Sequence, residues 1–424
     1  MPNKRNIITV FEHQSLYVHK GENRLLPGQL KALQLFYKEK DFPFYSLVHN
    51  GIKFCEYVGV IQVGNIGIEV LPKVDTRGKD EWRKLLINML RKAGIFDMDA
   101  PTNSTLKTKP NSILDLYFEL FIQQAENILH KGLVKRYRKV ESNLQALKGA
   151  ILFSRHIQQN LIHKELFYTR HSTYDQQHLL NCLLYKTIKL LKSVCSNPAL
   201  NSRIGSLLLN FPEMPNVTVN EPLFLKIEYN RKTEHYKQAI DIAKLLLLNF
   251  HPDIKTGKND VLALLFDMNE LWERFVLKSL QKGLPVGYKV KAQTRKLFWK
   301  KEGGYAKKMI PDIVVICPDE TQVVLDTKWK NIGDWNPSDE DLRQMYAYSK
   351  FHNNAKTVLV YPIDNSNASE FINGYFFDEV SGTISSDKQC GIIKLAVGIN
   401  INQWQKDISG FIFTKLHGKS HEIA

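Results

Sequence analysis

The chain has 424 residues, of which 43% are hydrophobic and 24% charged, and this profile is typical of soluble globular proteins with two or three domains. Its 58 Lys and Arg residues outnumber its 43 Asp and Glu residues, and the formal charge of +15 favours a polyanionic partner such as nucleic acid. Five cysteines without a Cys-x-x-Cys pair, and apolar runs far below the roughly 20 residues of a membrane span, argue against a disulfide framework, a zinc site and a membrane protein. We therefore expect a cytoplasmic protein.

Residues 1–108 are predicted to form a β-rich N-terminal domain. Residues 7–11 are apolar and β-branched, and residues 59–71 alternate around a Gly-Asn pair in the manner of a β-hairpin. Residues 81–93 carry leucine and methionine at helical spacing. A segment containing Pro110 is the predicted boundary.

Residues 109–255 are predicted to form a mostly helical middle domain. The predicted helices cover residues 112–132, 176–193 and 235–250, and the first has Ser112 as its N-cap with Asp115 three residues later. The polar stretch 251–260 contains Pro and Gly, and it predicts a linker.

Residues 256–424 are predicted to form an α/β domain with a mixed sheet flanked by helices. The predicted elements follow the order αβββαβ. They are a helix at 263–281, a strand at 288–294, a hairpin of 309–316 and 322–328, a helix at 338–352 and a strand at 357–361. The fold class of the whole chain is thus predicted to be α/β and multidomain.

The predicted hairpin carries two carboxylates and a lysine. Paired strands lie about 4.8 Å apart, so Asp312 and Asp326 can converge on one divalent cation. Lys328 lies two residues beyond Asp326 and shares its face of the strand, whereas Leu325 and Thr327 face the other way. Mg²⁺ prefers oxygen ligands and keeps several waters, so two carboxylates, a phosphate oxygen and waters suffice to bind it.

Such a site would hydrolyse a phosphodiester. The cation lowers the pKa of a water and neutralises charge on the phosphate, and Lys328 orients the nucleophile and adds positive charge. The alternative is that Asp312 caps a turn after Pro311 and Lys328 is a solvated lysine at the strand edge. The apolar runs around these residues predict buried strands, in which Asp and Lys are poorly tolerated without a functional reason.

Two neighbouring helices offer further polar groups. Gln344 and Tyr348 lie four residues apart on one helix face. On the preceding helix, Glu270 or Glu273 could supply a third metal oxygen. The alternative for this helix is an exposed acidic stripe in which Glu270 pairs with Arg274.

These motifs resemble a known family. Asp312, Asp326-Thr327-Lys328 and the Gln344–Tyr348 pair are similar to the PD-(D/E)xK nucleases of the QxxxY subgroup. The run from Leu265 to Glu273 resembles the start of the nuclease domain of McrC proteins, the endonuclease subunits of McrBC-type modification-dependent restriction systems. The resemblance extends to Leu147-Lys148-Gly149, to Tyr174-Asp175 with Asn181, and loosely to residues 1–100.

The resemblance implies Mg²⁺-dependent cleavage of double-stranded DNA. It also implies a partner, a GTP-hydrolysing AAA+ McrB-like hexamer whose GTPase the N-terminal region engages and stimulates. By position, the resemblance implies that Asp312, Asp326 and Glu273 are metal ligands and that Lys328 is the catalytic lysine. Gln344 and Tyr348 would support the site or contact DNA. The chain departs from many relatives by carrying Asp326 instead of Glu, and its first 100 residues are longer than in some McrC proteins.

Two basic clusters are candidates for phosphate contact. The first contains Lys131, Lys135, Arg136, Arg138 and Lys139, and a solvated face is its default interpretation. The second is interleaved with aromatic residues just before Pro311, and its position beside the hairpin favours DNA binding. Its members are Lys296, Lys300, Lys301, Lys307 and Lys308.

Two other patterns are given structural interpretations. Gly418-Lys419-Ser420 lacks the first glycine of a P-loop, so any nucleotide hydrolysis must come from a partner. His171, Asp175 and His178 are expected to be a capping Asp with surface histidines, because no further ligand completes a metal site.

The sequence therefore predicts a Mg²⁺-dependent DNA endonuclease subunit of an antiviral restriction system, working with an AAA+ motor. Two alternatives stay open. One is a non-catalytic adaptor that only activates the motor, and the other is a stand-alone nuclease.

Overall fold

A computed structural model describes residues 6–19, 21, 24–39, 44–64, 66–72, 78–94, 113–251, 260–332, 334–364, 368–378 and 381–417. Within these ranges the helices are α1 (Pro27–Glu39), α2 (Lys79–Lys92), α3 (Ile113–Lys131), α4 (Phe153–Asn160), α5 (Leu179–Val194), α6 (Pro198–Asn210), α7 (Glu221–Leu225), α8 (Lys237–Leu248), α9 (Met268–Gly283), α10 (Asp339–Phe351) and α11 (Ile401–His417). None of the described helices is long and apolar enough to cross a membrane.

The strands in the first half of the chain are β1 (Asn6–Phe11), β2 (Ser15–Tyr17), β3 (Tyr45–Val48), β4 (Gly51–Phe54), β5 (Tyr57–Val63), β6 (Ile66–Leu71), β7 (Arg136–Leu144), β8 (Ala150–Ile151) and β9 (Phe167–Asp175). Those in the second half are β10 (Phe250–His251), β11 (Val261–Asp267), β12 (Lys289–Ala292), β13 (Lys296–Lys300), β14 (Ala306–Met309), β15 (Ile313–Ile316), β16 (Gln322–Thr327), β17 (Lys356–Ile363), β18 (Glu370–Phe377) and β19 (Ile384–Ala396). The chain is therefore a mixed α/β protein.

The chain divides into two compact units. One contains residues 1–6 and 101–264, and the other contains residues 7–100 and 265–424. The boundary at residue 264 falls inside β11, so one strand supplies residues to both units.

The 101–264 unit is built around α3. Almost every residue in the first turns of this helix is buried, because α5, α6 and α8 all pack against it. Arg203 of α6 forms ion pairs with Glu119 and Glu126 of α3, which satisfies a nearly buried carboxylate. A three-stranded sheet in the order β7-β9-β8 completes the unit. The middle region is thus helical as predicted, with the addition of a sheet that the sequence analysis missed.

The other unit contains a six-stranded sheet in the order β12-β15-β16-β17-β19-β18. The sheet is mixed, because β16, β17 and β19 are parallel and the remaining pairs are antiparallel. Helix α10 packs on β17 and β19, α9 contacts β12 and β16, and α11 packs on α9. The buried core beside α10 includes Val314, Val324, Met345, Leu359 and Tyr361.

An aromatic cluster joins the N-terminal and C-terminal segments of this unit. Trp329 packs edge-on against Trp82 of α2 and Trp272 of α9, with ring centroids 6.5 and 5.4 Å apart. Trp404 of α11 stacks on Trp272 at 5.7 Å. The indole Nε1 of Trp329 also donates to Glu12 Oε1 at 3.1 Å. Residues 7–100 therefore contribute directly to the core beside the C-terminal sheet.

Several predicted elements match the structure and others differ. Helix α10 begins after the predicted cap Ser338, whose Oγ accepts from the Asp341 amide. The helix predicted at 263–281 begins only at Met268, because residues 261–267 form β11 and Asp267 caps the helix that follows. The predicted order αβββαβ also omitted the pair β13–β14 and the elements after β17.

Parts of the predicted organisation lie outside the described residues. These are the boundary at 107–111 and most of the linker at 251–260. The N-terminal region has the predicted strands and, in α2, the helix predicted at 81–93, and it also has the helix α1, which was not predicted. That the chain divides into three independently folding domains, with boundaries at residues 108 and 255, remains a prediction.

Candidate functional site

The site is organised by the antiparallel pair β15–β16. Ile313 pairs with Leu325, so Asp312 lies just before β15 and beside Asp326 near the end of β16. On its other side β16 runs parallel to β17, with Asp326 opposite Leu359. These strands belong to the buried core, which fixes where the two carboxylates can lie.

Asp326 and Lys328 are in direct contact. The Lys328 Nζ lies 2.7 Å from Asp326 Oδ2, and the carboxylate side chain is 1% exposed. The lysine also donates to Gln344 Oε1 at 3.4 Å. The structure thus places residues 326 and 328 on the same side of the strand, as their spacing predicts.

Asp312 is held by Thr327. Its Oδ2 accepts a hydrogen bond from the Thr327 amide at 2.8 Å and a second from the Thr327 hydroxyl at 3.1 Å. The prediction that Thr327 faces away from the site is therefore wrong. Asp312 lies beyond the last residue pair of the hairpin, so its carboxylate is free to approach Thr327.

A chain of hydrogen bonds links the lysine to the start of β15. Gln344 accepts from Lys328, and its Nε2 is 2.7 Å from Tyr348 Oη. The Tyr348 hydroxyl donates to the Ile310 carbonyl at 3.0 Å, two residues before Asp312. Gln344 and Tyr348 thereby hold both arms of the hairpin from α10.

Helix α9 places its two glutamates differently. Glu270 pairs with Arg274 at 2.6 Å on an exposed surface, as the alternative interpretation predicts. Glu273 is half-buried and accepts from Gln293 Nε2 at 3.2 Å. The Gln293 amide in turn donates to the Asp312 carbonyl at 3.0 Å, so Glu273 lies near the first arm of the hairpin.

Burial and repulsion from neighbouring carboxylates shift the pKa values of the acidic groups. Burial and the nearby Asp312 raise the pKa of Asp326 to about 6, although Lys328 opposes this rise. Burial and Asp312 likewise raise the pKa of Glu273 to about 7. Burial also raises the pKa of Asp312, against the effect of its Thr327 hydrogen bonds. Burial lowers the pKa of Lys328, but Asp326 and Asp312 outweigh it, so that its pKa lies above the ordinary value.

The donor set fits a hard divalent cation. Asp326 Oδ1 is buried and has no hydrogen-bond donor among the described residues. A buried oxygen of this kind is stabilised by a cation, and a carboxylate whose pKa is raised by a neighbouring carboxylate has the same requirement. Within the described ranges no three His, Cys, Asp or Glu side chains are grouped to hold an ion. Asp312 and Asp326 are thus the residues that fit, and Glu273 as a third ligand stays a prediction.

The sequence analysis missed one further carboxylate beside the site. Asp341 of α10 is buried, its Oδ2 lies 2.6 Å from Lys330 Nζ, and the same oxygen accepts from Tyr361 Oη at 3.3 Å. Burial raises the pKa of Asp341, but the bonds from Lys330 and Ser338 outweigh this effect and lower it. Its position three residues before Gln344, on the same helix face, was the available signal.

Four of the five lysines predicted to bind DNA are exposed on the β13–β14 hairpin or its turn. They are Lys300, Lys301, Lys307 and Lys308. Lys296 is different, because its Nζ donates to the Phe351 carbonyl at the end of α10 at 2.7 Å. This contact anchors the base of the hairpin and occupies the ammonium.

Of the two remaining sequence patterns, the one with two histidines and an aspartate lies within the described residues and has a structural role. Asp175 ends β9 and pairs with Arg138 at 2.7 Å, and His178 is the N-cap of α5. His171 is buried within β9, so the prediction that it is a surface residue is wrong. Gly418-Lys419-Ser420 lies outside the described residues.

Comparisons with known proteins agree with the fold. A family model described as McrBC 5-methylcytosine restriction system component matches residues 52–362. The chain is similar, at 20% identity and a TM-score of 0.70, to a chain of a refined half-complex from a tetradecameric assembly of Thermococcus gammatolerans McrB AAA+ hexamers with bound McrC. That similarity covers 97% of this chain and 100% of the other, and it shows a shared fold.

A cryo-EM structure of the Thermococcus gammatolerans McrBC complex also contains a similar chain. It is 22% identical over 65% of this chain and 88% of the other, with a TM-score of 0.49. No curated protein matches the sequence.

Proposed function

The chain belongs to the family of McrBC 5-methylcytosine restriction system components, and from this premise we propose that it is the Mg²⁺-dependent DNA endonuclease subunit of such a system, with a PD-(D/E)xK nuclease domain. The observation that carries the proposal is the buried Asp326 carboxylate, 2.7 Å from Lys328 and beside Asp312. Burial of these charges is unfavourable for folding alone, and a phosphodiester with its cation supplies the missing partners.

Each residue of the site has a defined part in this reaction. Asp312 and Asp326 would hold the cation, and Glu273 is proposed as a further ligand. Mg²⁺, when bound, neutralises the charge of the phosphate and acidifies water. Lys328 keeps its proton at neutral pH, because two carboxylates raise its pKa, so it acts through its positive charge and its hydrogen bonds rather than as a base.

The contacts of Lys328 also define the role of α10. Gln344 orients the ammonium, and Tyr348 fixes Gln344 against the backbone that leads to Asp312. The two residues thus position the lysine and the first carboxylate relative to each other. The exposed lysines of the β13–β14 hairpin are proposed to bind DNA phosphates.

The proposed partner is a GTP-hydrolysing AAA+ hexamer of the McrB type in the cytoplasm. Its contact is proposed for the N-terminal region, residues 1–108. A second candidate surface is α4, where Phe153 and Ile157 are 70% and 60% exposed one helical turn apart and Leu161 follows at 73%.

The test is to separate cleavage from activation of the motor. Asp326→Ala and Lys328→Ala should each lower DNA cleavage at least about 100-fold, because each removes charge stabilisation at the phosphate. Both should retain stimulation of the partner GTPase, since neither residue is placed in a docking surface. Lys415→Ala, an exposed lysine on α11, is the matched control and should cut normally.

Other outcomes would favour the alternatives. Cleavage that persists in both variants would remove this site from the reaction, and a wild type that stimulates GTPase without cutting under any divalent metal would support the adaptor. Cleavage by the chain alone, with Mg²⁺ and without GTP, would support a stand-alone nuclease.

A further inference from the structure

The β13–β14 hairpin is a separate two-stranded ribbon at the edge of the site. It forms no part of the six-stranded sheet, yet Met309 at the end of β14 is three residues from Asp312. Its base is fixed to α10, because Phe298 packs edge-on against Phe351 with ring centroids 5.5 Å apart and Lys296 bonds the Phe351 carbonyl. The outer part, including the turn at Gly303, therefore extends from an anchored base.

The ribbon exposes apolar side chains that a core does not cover. Tyr305 is 91% exposed, Leu297 is 65% exposed, and Trp299 is 52% exposed. Exposed aromatic groups concentrated on one small element are typical of a binding surface. Folding gives no reason for them, since the ribbon contributes only Met309 to the core.

Two of the exposed apolar residues lie opposite a lysine. Leu297 lies directly opposite Lys308, and Trp299 lies opposite Lys307. In a regular strand Leu297 and Trp299 would share a face, but the pairing shifts by one residue between them, as in a β-bulge. They therefore lie opposite consecutive lysines, and consecutive residues of β14 point to opposite faces. Both faces of the ribbon therefore carry one cation and one apolar group, and none of its four exposed lysines has an ion-pair partner among the described residues.

A ribbon with cations on both faces suits a cleft with negative charge on both walls. The major groove of duplex DNA is about 12 Å wide, admits a two-stranded β-ribbon, and is bordered by phosphates on both sides. A protein partner would be expected to cover one face only. Nonspecific attraction to DNA would require the lysines but not the aromatic groups.

We propose that the β13–β14 hairpin inserts into the major groove of duplex DNA next to the scissile phosphate, with lysines on the two groove walls and Trp299 and Tyr305 against the base edges. This inference rests on the proposed nuclease function and adds the form of DNA bound and the element that binds it. Insertion fixes the register of the duplex at Asp312, because the hairpin leads directly into that residue.

The test measures duplex binding by the full-length chain carrying Asp326→Ala, which blocks cleavage. In that background, Trp299→Ala and Tyr305→Ala should together weaken affinity about tenfold while leaving the slope of log K against log salt unchanged. Lys307→Ala with Lys308→Ala should lower the magnitude of that slope by about 2, since each phosphate contact contributes about 0.9. Phe377→Ala, an exposed aromatic on β18, is the matched control and should bind normally.

The probes distinguish the modes of binding. A duplex with bulky substituents at cytosine C5, which fill the major groove, should lose the contribution of Trp299 and Tyr305, whereas a minor-groove ligand should not remove it. An equal effect of the aromatic substitutions on single-stranded DNA would replace groove insertion with base stacking. Loss of motor binding with unchanged DNA affinity would assign the ribbon to a protein partner.

Cleavage and duplex binding together distinguish the hairpin proposal from the nuclease proposal. If the wild type cuts DNA with the motor and the aromatic variants bind duplex normally, only the hairpin proposal is wrong. If the wild type neither cuts nor binds duplex under any divalent metal, the nuclease proposal falls as well.

Discussion

At the residue scale, the site consists of charges that the fold places close together and away from water. Asp326 is almost completely buried, and its only close cation among the described residues is Lys328. Desolvation disfavours a charged carboxylate unless a partner compensates it. The raised pKa values of Asp326 and Glu273 are therefore consequences of an arrangement suited to binding a cation.

These pKa values predict how the stability of the protein would depend on pH if it binds Mg²⁺ as proposed. The pKa of Asp326 rises from 3.8 to about 6 and that of Glu273 from 4.5 to about 7. The folded chain thus binds more protons than the unfolded chain across this interval, so these groups make the metal-free protein less stable as pH rises through it. Mg²⁺ binds the ionised carboxylates and should reverse that decline, raising the melting temperature more at pH 8 than at pH 5.

Thermal unfolding in Mg²⁺ and in EDTA at the two pH values measures this effect. The double variant Asp312→Asn with Asp326→Asn should lose the Mg²⁺-dependent shift at pH 8. Glu270→Gln, on the exposed surface of α9, should keep it. An equal Mg²⁺ shift at both pH values, or one that survives in the double variant, would contradict the assigned cation site.

At the element scale, strand pairing and helix packing bring distant residues into register. β15 and β16 supply the carboxylates, and α10 supplies the side chains that connect them. Close approaches between elements also restrict single positions. In the other unit, Gly149 directly precedes β8 and has a φ of +76°, and a Cβ there would lie against the Arg170 carbonyl and 2.9 Å from His171 Cα.

Substitution of Gly149 should therefore destabilise the protein measurably. Gly149→Ala should lower the free energy of unfolding by about 1–3 kcal/mol, because the backbone conformation of Gly149 and its contact with β9 both disfavour a side chain. Gly205→Ala in α6 has open space around it and should raise stability by roughly 0.5–1 kcal/mol. Denaturant unfolding compares the two, and a Gly149→Ala protein as stable as the wild type would show that the strands do not approach as described.

At the scale of the whole molecule, the unit that holds the site is assembled from both ends of the chain. Residues 7–100 and 265–424 share the aromatic cluster around Trp329, which directly follows Lys328. The amide of Trp329 also donates to Asn269 Oδ1 at 3.1 Å. The residue next to Lys328 is thereby held by both α2 and α9.

A fragment of residues 256–424 tests whether the C-terminal region folds independently, as its predicted boundaries imply. Without α2 and Glu12, Trp329 loses a packed ring and a hydrogen bond, so we expect the fragment to show no cooperative unfolding transition. Coexpression with residues 1–100 should restore one, measured by calorimetry and near-UV circular dichroism. A fragment that unfolds cooperatively alone would support the three-part division.

The sequence predicted the local features well and the assembly poorly. The apolar spacing of α3, α5 and α10 and the Ser338 cap of α10 were sufficient to predict those helices, because these signals lie within one element. Ser112, the predicted cap of α3, lies outside the described residues. The run at 261–267 was misread as helix because a short apolar segment fits a buried strand equally well. The site roles of Thr327 and Asp341 were missed because they depend on neighbours brought together only by folding.

By itself, the amino-acid sequence determined the set of chemical groups: two aspartates and a lysine at a spacing that places them on one hairpin, with a glutamine and a tyrosine one helical turn apart. Local periodicity is sufficient for this, because strand and helix geometry fix which side chains share a face. Only the tertiary structure decided which groups are buried, which protons they hold, and that the N-terminal segment packs behind the lysine. Those properties depend on desolvation and on contacts between residues far apart in the chain, and no short stretch of sequence contains them.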